Sequence, residues 1–208
     1  MVDLSVLLIF QPSTLLEKFM ETKLTSSNTN HASPKFIGVI GERNSGKSTI
    51  IRSLTGCSSS RFRGTVTAED SLGNKRCVEV VCSSPQELSL NNPNVLTTRA
   101  IEISNFESLL AKAQGFSFNG LVSAIQPKSS LRKRITMEIM FNLALHHKFN
   151  CFAYILSPGY NQNSVLNDAE IIARLVSVGV LQKNIKTLNA EQFAILNAEI
   201  IRNQTRII

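Results

Sequence analysis

The stretch Phe36-Ile37-Gly38-Val39-Ile40-Gly41-Glu42-Arg43-Asn44-Ser45-Gly46-Lys47-Ser48 decides the fold. Its first five residues are an apolar run of strand length. From Gly46 the period changes: Ile50, Ile51 and Leu54 fall on one helical face, and Gly56 closes that helix as a C-terminal cap. Between strand and helix, Gly41 to Ser48 satisfy the spacing G-x-x-x-x-G-K-[ST]. The chemistry asks for these residue types in this order. Glycines let the backbone turn so that successive N–H groups aim inward, and the following helix adds the positive end of its dipole. Gly41, Glu42, Arg43, Asn44, Ser45 and Gly46 then form a cradle for anionic oxygens. Lys47 is spaced to reach β- and γ-phosphates, the Ser48 hydroxyl to ligate Mg²⁺, and Thr49 to touch an α-phosphate or pack. A glycine-rich turn with a chance lysine is the plain alternative; a full match in the right strand-to-helix context outweighs it.

Upstream, Leu4 to Lys23 read as a strand or short helix followed by a helix carrying Leu15, Leu16, Phe19 and Met20. Thr25 to Pro34 is a polar loop, so residues 1–34 are an N-terminal extension and linker and 35–208 the nucleotide-binding domain. Downstream, Arg63 to Ala68 and Arg76 to Cys82 alternate as strands, joined by the turn Leu72-Gly73-Asn74-Lys75. Asn105 to Gln114 reads as a helix with Phe106, Leu109, Leu110 and Ala113 on one face, and Gly120 to Gln126 as a strand. Ser130 is placed to cap a long helix whose buried stripe is Leu131, Ile135, Ile139 and Leu143. Strands at Cys151 to Leu156 and Ile185 to Leu188 alternate with helices at Asn167 to Val178 and Ala190 to Arg202, the last with Phe193, Leu196 and Ile200 on one side. The expected fold is a three-layer α/β domain: a mainly parallel sheet, one early antiparallel hairpin, and helices on both faces.

Gly41 to Ser48 resemble the Walker A motif of P-loop NTPases, and the order of elements over 35–208 resembles the GTPase-like branch. That resemblance implies Mg²⁺ and a purine nucleoside triphosphate, ATP or GTP, as ligand. It places Phe62-Arg63-Gly64-Thr65 at a first switch, with Thr65 or Thr67 near the metal, and Cys82-Ser83-Ser84-Pro85-Gln86 where the family carries Asp-x-x-Gly-Gln. Gln86 would then orient an attacking water beside Lys47. The departures matter. Cys82 stands in place of the aspartate behind a Mg²⁺-bound water, and Pro85 has no N–H to sense a γ-phosphate. Ser157-Pro158-Gly159-Tyr160-Asn161 replaces the Asn-Lys-x-Asp that reads guanine, so base preference stays open. Metal help from the loop acids Glu69, Asp70 or Glu87 is a weaker reading than solvated side chains.

The composition agrees with a globular nucleotide binder: 208 residues, 43% hydrophobic, 18% charged and a net charge of +7 that suits an anionic partner. Nucleic acid fits that charge only loosely, because the basic residues come in short groups such as Lys128-Ser129-Ser130-Leu131-Arg132-Lys133-Arg134. That group follows a strand end; it reads as a phosphate-neutralising patch or as a basic first helical turn. His146 and His147 suit a helix C-terminus better than metal ligation. Cys57, Cys77, Cys82 and Cys151 lack metal-ligand spacing and read as free core thiols. No run is long enough to cross a bilayer, and a cytoplasmic location is expected. Three functions remain: a slow NTPase coupled to a protein-partner surface, a non-catalytic nucleotide-binding assembly module, and a small-molecule phosphotransferase.

Overall fold

The computed structural model describes residues 33–69, 75–84, 99–115, 118–128, 135–160 and 165–207. In chain order these form β1 (Lys35–Ile40), α1 (Lys47–Thr55), β2 (Arg63–Glu69), β3 (Lys75–Val81), α2 (Arg99–Ala113), β4 (Phe118–Ile125), α3 (Met137–His146), β5 (Asn150–Leu156), α4 (Asp168–Ser177), β6 (Ile185–Leu188) and α5 (Ala194–Thr205). The six strands make one sheet in the order β2-β3-β4-β1-β5-β6.

The apolar run that opens the motif takes the centre of the sheet, where both faces are covered. Phe36, Ile37, Val39 and Ile40 have no exposed surface, as expected of a parallel strand with helices on either side. Ile37 pairs in parallel with Val122 of β4 and Phe152 of β5. β3 and β6 extend the parallel set, and β2 runs antiparallel to β3 as the hairpin partner.

Side chains alternate across that sheet into two cores. Phe36, Ile40, Leu121 and Ile125 point to the face covered by α2, α3 and α4, through Phe106, Leu110, Met140, Phe141, Ile171 and Leu175. The Phe36 ring meets Phe106 and Phe141 edge-on at centroid distances of 5.7 and 5.0 Å. Such contacts add about 0.5–1.5 kcal/mol each to simple burial. Ile37, Val39, Val122 and Tyr154 point the other way, onto Ile50, Ile51 and Leu54 of α1 and Ala198 and Ile201 of α5. α5 also braces α1 directly: Arg202 donates to the carbonyls of Ser53 and Leu54, a cation at the negative end of the α1 dipole. The motif helix is therefore fixed from below by the sheet and from the side by α5. Among the described residues no helix is long and apolar enough to cross a membrane.

Three expectations are corrected. α2 begins at Arg99, six residues ahead of the Asn105 expected from its apolar spacing. The early turn is held by a polar contact that periodicity does not register: Glu102 is buried and its carboxylate accepts the Ile135 N–H at 2.7 Å. α3 begins at Met137, with Thr136 as its cap accepting from the Ile139 N–H. Because Ile135 and Thr136 are not helical, no helix runs through from Ser130, and Lys128 to Arg134 are not the first turn of α3. Its buried face is Met137, Met140, Phe141 and Ala144. α5 starts four residues after Ala190, and Phe193, Leu196 and Ile200 face solvent while Asn197, Ala198, Ile201 and Thr205 face the core. The 72–74 turn, Asp70 and 129–134 lie outside the described residues.

Candidate phosphate-binding site

β1 delivers the chain to the carboxyl edge of the sheet between β4 and β5, where strand order reverses and a crevice opens. Gly41 N–H donates to Ile125 O at 3.1 Å, so the strand stays paired until the loop begins. The loop then tightens through Ser45 N–H to Glu42 O, and Asn44 and Gly46 take left-handed conformations with φ of 61° and 93°. Gly41 must be glycine for space. A Cβ there would lie 2.3 Å from Ser45 Oγ, which is folded beneath the loop, buried, and without a hydrogen-bond partner. Gly46 occupies the cap position of α1 and contributes no capping side chain, so the first-turn amides open on the crevice with the positive end of the dipole.

Lys47 crosses the mouth of this loop. Its ammonium donates to Gly41 O at 2.9 Å and Glu42 O at 2.6 Å, and the residue is 5% exposed. The next residue faces the opposite wall: Ser48 Oγ donates to the backbone carbonyl of Cys82, just past β3, at 2.9 Å. Its hydrogen is thus taken, and its lone pairs are free to meet a cation. The Cys82 side chain points into the core, with Sγ 3.1 Å from Cys57 Sγ, so the residue meets Ser48 through its carbonyl alone. Burial and the contact with Cys57 hold the Cys82 thiol above its usual range.

These groups line a cleft of about 860 Å³, a size suited to a small organic ligand. Arg43, Asn44, Ser45, Gly46, Lys47, Ser48 and Thr49 supply one side. Of the expected cradle, Gly41 and Glu42 contribute carbonyls to Lys47 but do not line the cleft; Glu42 instead lines a separate crevice of about 340 Å³ with Lys128 and Arg174. Of the remaining walls, the sequence pointed to the segments that carry Ser83 and Tyr160, but not to the others. Ser60 and Arg61 come from the α1–β2 loop, Ser83 from the end of β3, Tyr160 from the loop after β5, and Ala190, Glu191, Gln192, Phe193 and Ala194 from the loop into α5. Tyr160 N–H donates to Ser45 O at 3.2 Å, and Ala190 N–H to Pro158 O at 3.1 Å, so the two distant loops are stitched to the motif and to each other.

Two expected metal neighbours are elsewhere. Thr65 Oγ1 donates to Glu79 across the hairpin, and Thr67 Oγ1 contacts Cys77 Sγ; neither lines the cleft. Gln86, Pro85 and Glu87 lie outside the described residues, as does the side chain of Glu69. His146 and His147 stack edge-on at the end of α3, and neither lines the cleft. All four cysteines are free, and Cys77 is half-buried instead of a core residue.

No protein-family model matches the chain, and no curated protein matches it. Two solved structures are similar in outline. APE1195 aligns at 12% identity over 85% of this chain and 97% of that one, with a TM-score of 0.44. The G-domain of FeoB from Methanococcus jannaschii aligns at 16% identity over 83% and 97%, with a TM-score of 0.41. Likenesses this distant leave the assignment of the site to its own geometry.

Proposed function

We propose that this chain binds a purine nucleoside triphosphate together with Mg²⁺ in the cleft at the end of β1, through the domain formed by residues 35–208. The observation that carries this reading is the position of Lys47: a buried ammonium spanning the loop mouth, beside the uncapped N-terminus of α1. In the proposed complex the amides from Arg43 to Thr49 hold the phosphate oxygens and Lys47 neutralises the outer phosphates. Ser48 would hold Mg²⁺, which would supply positive charge against the phosphates. The donor set fits it: the Ser48 hydroxyl gives its hydrogen to Cys82 O and keeps its oxygen for the metal. Exposed aromatic faces of Tyr160 and Phe193 on the far wall suit stacking with a base.

We further propose slow hydrolysis coupled to a partner surface, a reading supported by the place of one residue. Phe193 lies at once on the cleft wall and at the head of α5, whose solvent face carries Leu196 and Ile200. In this proposal, occupancy of the cleft would reach that apolar face through the short segment that carries Phe193. Gln86 remains the proposed water-orienting residue, and a cytoplasmic setting the proposed location.

A second reading, a binding module that does not turn nucleotide over, is favoured by one observation. At the end of β3 the group facing Ser48 is a neutral carbonyl, so the strand brings no negative charge to a metal-bound water. Single-turnover incubation with radiolabelled ATP and GTP separates the two: released phosphate supports the hydrolase, intact bound triphosphate the module. Absence of binding by either nucleotide refutes both.

A further inference from the structure

Where the α1–β2 loop meets the end of β3, two thiols make a contact that nucleotide binding does not require. Cys57 directly follows Gly56, the cap of α1, and Cys82 directly follows β3; their sulfurs are 3.1 Å apart, with Cys57 7% exposed and Cys82 fully buried. The backbone around them is already drawn together. Cys82 N–H donates to Phe62 O at 2.9 Å and Ser83 Oγ to Ser60 O at 3.4 Å, so the α1–β2 loop lies along the strand end. A disulfide needs a sulfur separation near 2.05 Å, which asks for a closure of about 1 Å.

We propose that Cys57 and Cys82 are an oxidant-responsive pair that forms a disulfide with a peroxide, and that this bond clasps the α1–β2 wall of the phosphate cleft to the end of β3. Cys57 is the entry point, because it retains 7% of its surface for a small oxidant to reach while Cys82 is fully buried behind it. The Cys57 thiolate attacks one oxygen of the peroxide, the O–O bond breaks, and Cys57 becomes a sulfenic acid while the other oxygen leaves as water or alcohol. The Cys82 sulfur then attacks Cys57 Sγ. The S–S bond forms, the S–O bond breaks, and the Cys82 proton leaves with hydroxide as water. Two electrons pass from the two thiols to the peroxide.

The consequence for the cleft rests on the nucleotide reading above. Cys82 supplies the carbonyl that holds Ser48, and Ser60, Arg61 and Ser83 line the cleft. The bond would restrain the loop that carries Ser60 and Arg61, and bound triphosphate is expected to leave the oxidised form about fivefold more slowly.

The test treats the full chain with hydrogen peroxide or with dithiothreitol, blocks remaining thiols, and maps the cysteines by mass spectrometry under non-reducing conditions. Tryptic cleavage after Arg61 and release of a fluorescent triphosphate are timed in both forms. The expected result is a joined Cys57–Cys82 peptide, slower cleavage after Arg61, and about fivefold slower release, all reversed by dithiothreitol and absent in Cys57→Ala and Cys82→Ala. The wild-type reversal carries the test if either variant fails to fold. Recovery of Cys57 and Cys82 as blocked thiols while Cys77 is oxidised overturns the proposal, as does a joined peptide with unchanged cleavage. If the clasp forms and slows cleavage but neither form holds nucleotide, the disulfide stands and the nucleotide reading fails.

Discussion

Truncating Lys47 to alanine probes the loop from both sides, with and without ligand. In the free protein the ammonium holds Gly41 O and Glu42 O at 2.9 and 2.6 Å. A buried acceptor left unmade costs about 1–3 kcal/mol, and water entering the vacated space answers part of that, so the fold loses about 2 kcal/mol in total. For a domain of this size that is a fall of about 4–8 °C in melting temperature. In the complex the variant also lacks the one buried cation facing the phosphates among the described cleft residues. Losing a charge-assisted contact of about 3 kcal/mol weakens binding by about 100-fold. Isothermal titration with Mg-ATP and Mg-GTP, alongside thermal melts, measures both quantities. A folded Lys47→Ala protein that binds within about twofold of wild type would refute the assignment of this lysine to phosphate.

Other substitutions separate the parts of the site. Gly41→Ala places a methyl group 2.3 Å from Ser45 Oγ and is expected to cost about 1–3 kcal/mol of stability with a tenfold or greater loss of nucleotide affinity, read by melts and titration. Ser45→Ala removes a buried hydroxyl without a partner and is expected to raise stability by about 1 kcal/mol; a lower melting temperature contradicts this. Ser48→Ala should abolish the Mg²⁺ dependence of binding while leaving metal-free affinity within about threefold, measured by titration with and without chelator. Glu138 gives a pH signature. Burial raises its pKa, but hydrogen bonds from its own amide, Thr136 and Arg174, with the Arg174 charge, outweigh burial and hold it below 4.5. Its stabilising contribution is thus present above pH 4.5 and lost as pH falls through the lower folded value, and acid melts of Glu138→Gln should lack that component.

What the sequence made legible was local. The match at Gly41 to Ser48, the strand before it and the helix after it are all decided within some twenty residues, by spacing and by glycine placement, and the structure forms them with the expected boundaries. β6 and α4 were equally plain, because their apolar spacing and the Asn167 cap agree. Errors arose where a distant polar contact set the answer. The extra turn and a half of α2 depends on Glu102 reaching Ile135, and the start of α3 on Thr136 instead of Ser130. The apolar spacing of Phe193, Leu196 and Ile200 suggested a packed face, yet it is the one turned to solvent, while Arg202 and Ala198 fix the opposite face to α1 and the sheet. Most of the far cleft wall was invisible for the same reason. Tyr160 is joined to the loop at Ser45, and Ala190 to Pro158, by backbone hydrogen bonds, which leave no trace in residue type. At Cys82 the sequence carried no sign that the main-chain carbonyl, and not the side chain, would meet Ser48.

The central claim is that the amides between Arg43 and Thr49 close on a phosphate group. Hydrogen–deuterium exchange of the full chain, with Mg-ATP, Mg-GTP, or Mg²⁺ alone, tests it at the residues concerned. Slowed exchange across 43–49 and in the 190–194 segment with a triphosphate, and not with the metal alone, is the predicted outcome. Exchange in 43–49 that is identical with and without either nucleotide at millimolar concentration contradicts it.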